Sequence, residues 1–389
     1  MSTNMDRRQL IKKGMLMAGG LSLMPGLMNQ LGAKPINSCY RHPYVSDFST
    51  ILNGPKELKA RLFANENPFG PSPKAKQAIQ DAMAQSYQYP FMFAKDFMQT
   101  LATAEGLAPE NLMISAGSSE ILLAAAILFS QKPGSNVVAG DPSYEDLPST
   151  MEEMKATWKK VPLTATYKLD LDAMEKAIDG NTSLVYICNP NNPTATVLEI
   201  EQLKSFVDRV STRVTVFIDE AYIDYLPDPK ANTMIGAIKK GKNIIVARTF
   251  SKLHGFAGLR VGYAFGQPDM IKKLGSYTTG FAGISATSLH AAMASYTDAE
   301  FLKTALEKTL ASKNYLYSVL KAEGYEYVPS STNFVIFPLK MDSRQFVAEM
   351  EKRGVGVRFW QFNKKEWCRV SIGRMDEMEA FAAAFKEIS

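Results

Sequence analysis

Lys252 stands at the end of Thr249-Phe250-Ser251-Lys252, with hydroxyls three and one residues before it and Arg260 eight residues after it. An apolar run at 244–247 leads in, and a second at 261–265 leads out. An amine on a loop between two buried strands, flanked by hydroxyls and a guanidinium, suits a phosphate held beside a reactive nucleophile. Four other stretches follow strand-like runs and carry useful side chains. Gly117-Ser118-Ser119 opens a helix, where free N–H groups and the helix dipole attract anions; alone, it reads more simply as a cap. Asp141-Pro142-Ser143-Tyr144 can lay the Tyr144 ring on a flat ligand, although a lone tyrosine there is more often core. Asn189-Pro190-Asn191-Asn192-Pro193-Thr194 fixes its backbone with prolines and presents asparagine amides, Asn192 among them. Asp219-Glu220-Ala221-Tyr222 sets a carboxylate at the end of a buried run, where it needs a cation or strong hydrogen bonds. Together the five loops read as a pocket for a flat, phosphorylated, nitrogen-containing ring that bonds to a lysine, which is pyridoxal phosphate.

The elements that must position these loops alternate along the chain. Strand-like runs at 112–114, 137–139, 184–187, 214–218 and 244–247 are separated by helical patterns, among them 120–129, 171–178 and 200–210. Continuously apolar strands between helices imply a mostly parallel sheet covered on both faces, that is, an α/β domain. Ligands of such sheets bind outside the carboxyl ends of the strands, where all five loops fall. A helix is expected at 74–86 and one long helix at 287–324. The tail mixes strands at 333–337, 355–358 and 368–372 with helices at 344–352 and 375–387, a smaller α+β domain. The expected division is a leader at 1–33, an arm at 34–74 belonging to the smaller domain, a large domain at 75–286 and the small domain at 287–389.

The 389 residues are enough for two domains, and 46% apolar against 21% charged residues is ordinary for a globular chain. Most of the net charge of +5 sits in residues 1–33, so the body gives no reason to expect a nucleic-acid partner. Cys39, Cys188 and Cys368 are too few and too scattered for a disulfide framework or a zinc site, and three histidines do not suggest a metal. Asp6-Arg7-Arg8-Gln9-Leu10-Ile11-Lys12 precedes a weakly apolar run at 14–28. This resembles a twin-arginine signal peptide, which implies passage through the twin-arginine export machinery as a folded protein and a periplasmic location. Read instead as a plain basic N-terminus, the chain stays cytoplasmic.

Asn65-Glu66-Asn67-Pro68-Phe69-Gly70-Pro71-Ser72-Pro73, Asn-Asn-Pro-Thr at 191–194, Asp-Glu-Ala-Tyr at 219–222, Thr-Phe-Ser-Lys at 249–252 and Ala-Gly-Leu-Arg-Val-Gly-Tyr at 257–263 resemble the fold type I pyridoxal-phosphate-dependent aminotransferases. Within them the likeness is to the histidinol-phosphate aminotransferase branch, over about residues 60–389. The resemblance implies a transaminase moving an α-amino group between an amino acid, or a small peptide-like metabolite, and a 2-oxo acid. It implies that Lys252 bonds the cofactor and carries the substrate α-proton, that Asp219 pairs with the ring nitrogen, and that Tyr222 and Asn192 bond the ring's phenolic oxygen. Tyr144 would stack on the ring. Ser118, Ser119, Thr249, Ser251 and Arg260 would hold the phosphate, with Tyr89 reaching the phosphate of a partner subunit in a homodimer. Arg369 would grip the substrate carboxylate, and Asn67, Asn333 and Arg358 would line the substrate side. Ala195 stands where the family usually has glycine. Because histidine synthesis is cytoplasmic, the export signal points away from histidinol phosphate as substrate. A lyase (a decarboxylase) or a racemase on the same cofactor is the alternative.

Overall fold

The computed structural model describes residues 58–389; the expected leader at 1–33 and most of the arm lie outside them. The chain runs through β1 (Ala60–Arg61), β2 (Leu112–Ser115), β3 (Asn136–Asp141), β4 (Thr157–Pro162), β5 (Thr182–Cys188), β6 (Thr215–Asp219), β7 (Ile244–Thr249), β8 (Gly262–Gly266), β9 (Phe334–Pro338), β10 (Val355–Gly356), β11 (Arg358–Phe362) and β12 (Lys365–Ser371). Seven of these form one sheet in the order β2-β8-β7-β6-β5-β3-β4. It is a mostly parallel sheet in which β8 runs antiparallel to both its neighbours.

The central strands carry continuous apolar runs, 184–187 in β5, 216–218 in β6 and 244–247 in β7, because both of their faces are covered. Val185, Ile187, Val216, Ile218 and Val246 pack into one core with helices Phe91–Glu105 and Ile200–Val210. Leu184, Tyr186, Phe217 and Ile245 pack into another, against helices Ser118–Ser130 and Asp146–Glu153. One residue's step along a strand moves its side chain from one core to the other.

The smaller body holds the antiparallel sheet β11-β12-β9 and helices Ala299–Ala322, Ser343–Lys352 and Met375–Lys386 around a third core. Ala60 and Leu62 of the arm belong to that core, and β1 pairs in parallel with β10.

Two expectations change, and one strand was not foreseen. The helix expected at 287–324 is two, Ala286–Tyr296 and Ala299–Ala322. At the break, the Thr297 hydroxyl bonds back to Met293 O and Ala294 O, and Asp298 is drawn to Lys74 at 3.0 Å. Leu289, Ala291 and Ala292 pack in the core of the large sheet, so by packing the first of these helices goes with that sheet. The strand expected at 355–358 divides at Val357, one part pairing with the arm and the other with β12. Finally, β4 escapes the pattern because it is an edge strand carrying Lys159 and Lys160, the composition that keeps sheet edges from aggregating.

Candidate active site

β3, β5, β6 and β7 end at Asp141, Cys188, Asp219 and Thr249, so the expected loops leave the sheet at its carboxyl edge. At the start of helix Ser118–Ser130 the N-cap is Gly117, which offers no side chain to the first N–H groups. Arg260 points there: Nη1 donates to Ser251 Oγ at 3.3 Å and to Ala257 O at 3.0 Å, and Nη2 to Ser119 Oγ at 3.5 Å. Thr249 Oγ1 donates to Ser251 Oγ at 2.9 Å. Two glycines let these parts converge. A Cβ on Gly117 would lie 2.3 Å from Arg260 Nη2, and one on Gly262 would lie 2.4 Å from Ser118 N. Uncapped N–H groups, hydroxyls and a guanidinium in one cradle match the needs of a phosphate.

Asp219 is 2% exposed. Its Oδ2 accepts from the Tyr186 hydroxyl at 3.1 Å and its Oδ1 from the Ala221 N–H at 3.0 Å. Both donors are neutral, and burial pushes the carboxyl up to about 6. A buried carboxylate held by neutral donors fits a cationic ring nitrogen. Tyr222 accepts from Asn65 Nδ2 at 3.0 Å, and burial raises its phenol, so its own proton remains to be donated. Lys252 Nζ lies 5.4 Å over the Tyr222 ring and donates to Asn65 O at 3.3 Å. Burial, then the nearby Arg369 cation, lower its amine to about 8. The half-buried Tyr144 packs against the core on the Tyr186 side of the sheet, its hydroxyl donating to Asp146 Oδ2 at 2.5 Å.

Arg369 is 2% exposed on β12. Nη1 donates to Asn192 Oδ1 at 2.7 Å and Nη2 to Phe63 O at 2.6 Å. The guanidinium lies 4.5 Å from the Trp360 ring centre and 5.2 Å from that of Phe334. The Asn192 oxygen is therefore engaged by Arg369, and any bond from Asn192 to a ring oxygen would come from its amide nitrogen. Asn333 donates to Asn65 O at 3.0 Å and Glu66 O at 3.3 Å, while its own Oδ1 is buried without a hydrogen-bond partner among the described residues. Asn67 commits both amide atoms to the chain, donating to Leu253 O at 2.6 Å and accepting from Phe69 N at 3.0 Å. Arg358 is the cross-strand partner of Arg369 and stacks 4.7 Å over Trp360. Tyr89 stays apart, on the surface, against Phe91 at 5.8 Å.

Asn65, Ser371 and Tyr186 belong to this site and were not singled out from the sequence. Asn65 adopts φ +54, a left-handed backbone that asparagine tolerates. It bonds Tyr222, Lys252, Asn333 and Ser371 at once. Only its place in the turn-rich loop hinted at this. Tyr186 did carry a signal, since a tyrosine in an otherwise aliphatic buried strand needs a polar partner. Ala195, in the place where glycine was expected, has φ +61, and its carbonyl accepts from Ser331 N of the smaller body at 2.8 Å.

Comparison with known proteins agrees with this geometry. Residues 59–385 match the family described as "Aminotransferase class I and II". A histidinol-phosphate aminotransferase of Moorella thermoacetica is 36% identical over 330 residues, 84% of this chain and 85% of that protein. An aromatic amino acid aminotransferase of Mycolicibacterium vanbaalenii is 35% identical over 321 residues, 82% of this chain and 90% of that protein. The crystal structure of histidinol-phosphate aminotransferase from Sinorhizobium meliloti, in complex with pyridoxal-5'-phosphate, superposes with a TM-score of 0.81 at 26% identity, covering 94% of this chain and 97% of that one. By sequence, fold and the chemistry gathered at the sheet's carboxyl edge, the chain belongs to the class I and II aminotransferases.

Proposed function

We propose that the chain is a pyridoxal-phosphate-dependent transaminase acting on the α-amino group of an amino acid or a small peptide-like metabolite, with a 2-oxo acid as acceptor. The observation that carries the proposal is Asp219, a buried carboxylate satisfied only by neutral donors in a pocket that also holds a phosphate cradle and a lysine. When bound, the cofactor would supply an electron-accepting ring. Ser118, Ser119, Thr249, Ser251 and Arg260 hold the phosphate. Asp219 would pair with the protonated ring nitrogen, Tyr222 and the Asn192 amide would donate to the ring oxygen, and Tyr144 would pack on the ring. Lys252 is the amine that would hold the cofactor and would carry the substrate α-proton, and an amine lowered to about 8 is a usable base near neutral pH. Arg369 exchanges its bond to Asn192 for the substrate carboxylate, which accepts a two-pronged guanidinium well. Asn333 and Arg358 line the substrate side, and Asn67 shapes it through the backbone it holds.

The test is spectroscopic. The loaded protein should show the visible band of lysine-bound cofactor, lose it on adding a panel of amino donors, and regain it with 2-oxo acids. Lys252→Ala should abolish both the band and transfer. If transfer survived in that variant, the proposal would fall; carbon dioxide release with no oxo acid formed would select a lyase instead.

Two further parts of the reading concern place and assembly. The Arg7-Arg8 motif supports export, tested by fractionating cells that make the full chain and its Arg7→Lys, Arg8→Lys variant; equal cytoplasmic retention of both would refute it. The exposed apolar segment around Tyr89 supports a homodimer with shared sites.

A further inference from the structure

Tyr186 lies on β5, directly beside β6, where its register partner is Phe217, two residues before Asp219. It is fully buried, and its ring packs 5.8 Å from that of Phe217 in an apolar cluster that includes Ala139 and Leu184. A hydroxyl in such a place needs an acceptor. Asp219 Oδ2 supplies it at 3.1 Å, while the Ala221 N–H fixes Oδ1 at 3.0 Å. Each carboxylate oxygen therefore has one fixed donor, from a different element, and the plane of the carboxylate is set.

We propose that Tyr186 is a positioning residue, whose hydroxyl holds Asp219 as an oriented carboxylate aimed at the protonated ring nitrogen of the cofactor. This rests on the assignment of Asp219 to the ring nitrogen. The groups that face Asp219 are few. Cys188 of β5 and Tyr222 are both neutral, because burial raises their titration. Asp146, at the start of helix Asp146–Glu153, favours protonating Asp219, whereas Lys252 favours its charged form. The Ala221 amide and the Tyr186 hydroxyl favour the charged form by hydrogen bonding, against the burial that opposes it. Of these, only the Tyr186 bond can be deleted with little change in shape.

The test uses the full chain freed of cofactor and pyridoxamine 5'-phosphate, which binds without a covalent bond to Lys252. Calorimetric affinity is followed across the acidic and neutral range for wild type, Tyr186→Phe, Tyr186→Met and Asp219→Asn. The ligand's own titrations are common to all four, so differences between the curves report the protein. Wild-type affinity should fall as Asp219 takes up its proton. In Tyr186→Phe that fall should begin about one pH unit higher, the size expected for a lost bond to a charged group. Tyr186→Met, which packs differently but also lacks the hydroxyl, should give the same midpoint. Asp219→Asn should bind more weakly and lose this pH dependence. A Tyr186→Phe curve lowered uniformly with the wild-type midpoint would overturn the proposal and leave Tyr186 as packing alone. An Asp219→Asn curve with the wild-type profile would instead overturn the assignment of Asp219 on which it rests.

Discussion

Lys252 and Asp219 both stand at titration values moved by burial, and the two act on stability in opposite senses. The lysine amine is lowered from 10.5 to about 8, so between those values the unfolded chain binds more protons than the folded one. Stability of the cofactor-free protein therefore rises with pH across that window, and the cost of burying the charged amine is full below it. Asp219 is raised from 3.8 to about 6; its cost is full above that value and is relieved as pH falls towards 3.8. Replacing Lys252 by Met removes the first contribution and leaves the second. We expect cofactor-free Lys252→Met to melt at a higher temperature than wild type near neutral pH, with the two curves converging above the ordinary lysine range. Thermal melts over a pH series check this, and parallel curves would show that the amine is solvated rather than desolvated. Asn65 shows the same economy of placement: one residue of the arm ties together Lys252 and Tyr222 of the large sheet and Asn333 and Ser371 of the smaller body.

Helix Ser118–Ser130 and β8 meet at the proposed phosphate cradle, and Gly262 is what lets them meet. A Cβ there would come within 2.4 Å of Ser118 N and 2.5 Å of Gly117 C, both backbone atoms that cannot swing aside. Gly262→Ala should push the helix start outward and weaken pyridoxal phosphate binding about tenfold, since overpacking of about 1–3 kcal/mol falls on the cradle itself. Gly258→Ala, with nothing within 4 Å of its added Cβ, is the control and should bind as wild type does. Equal affinity in both variants would mean the helix start does not hold the phosphate. The same elements show what a sequence can reveal. The helix Ile200–Val210 and the buried strands β5, β6 and β7 were legible because periodicity and continuous apolarity follow directly from burial. The five loops were legible because each carried polar chemistry at a strand end. The helix Phe91–Glu105 was not, because Phe91 and Met92 lie on its solvent side and blur the apolar stripe. The broken helix at 297–298 and the divided strand at 357 depend on partners distant in sequence, Lys74 and the arm, which no local pattern displays. Asn192 shows the same limit at the site, where its oxygen meets Arg369 across 177 positions of chain.

Around the start of helix Phe91–Glu105 the molecule exposes Tyr87 at 82%, Tyr89 at 73%, Met92 at 68%, Phe91 at 60% and Met83 at 58%. Single exposed apolar side chains are ordinary, but five within ten positions of the chain form a face that water covers poorly. The occupant we infer is a second copy of the chain. The phosphate cradle draws its groups from the helix start, Thr249, Ser251 and Arg260, whereas Tyr89 lies on the surface of its own chain and outside that group. A phosphate contact from Tyr89, which the resemblance implies, would therefore be made across a subunit boundary. Two variants separate assembly from chemistry. Met92→Asp places a charge in the face and should break the proposed dimer into monomers in sedimentation equilibrium, with loss of cofactor affinity. Tyr89→Phe keeps the face apolar and removes one donor, so it should remain dimeric and bind pyridoxal phosphate roughly 10- to 100-fold more weakly, as expected for one hydrogen bond to a charged group of about 1.5–3 kcal/mol. A Met92→Asp monomer with wild-type cofactor affinity would show that each chain completes its own site. A wild-type chain that sediments as a monomer would leave the apolar face to some other partner.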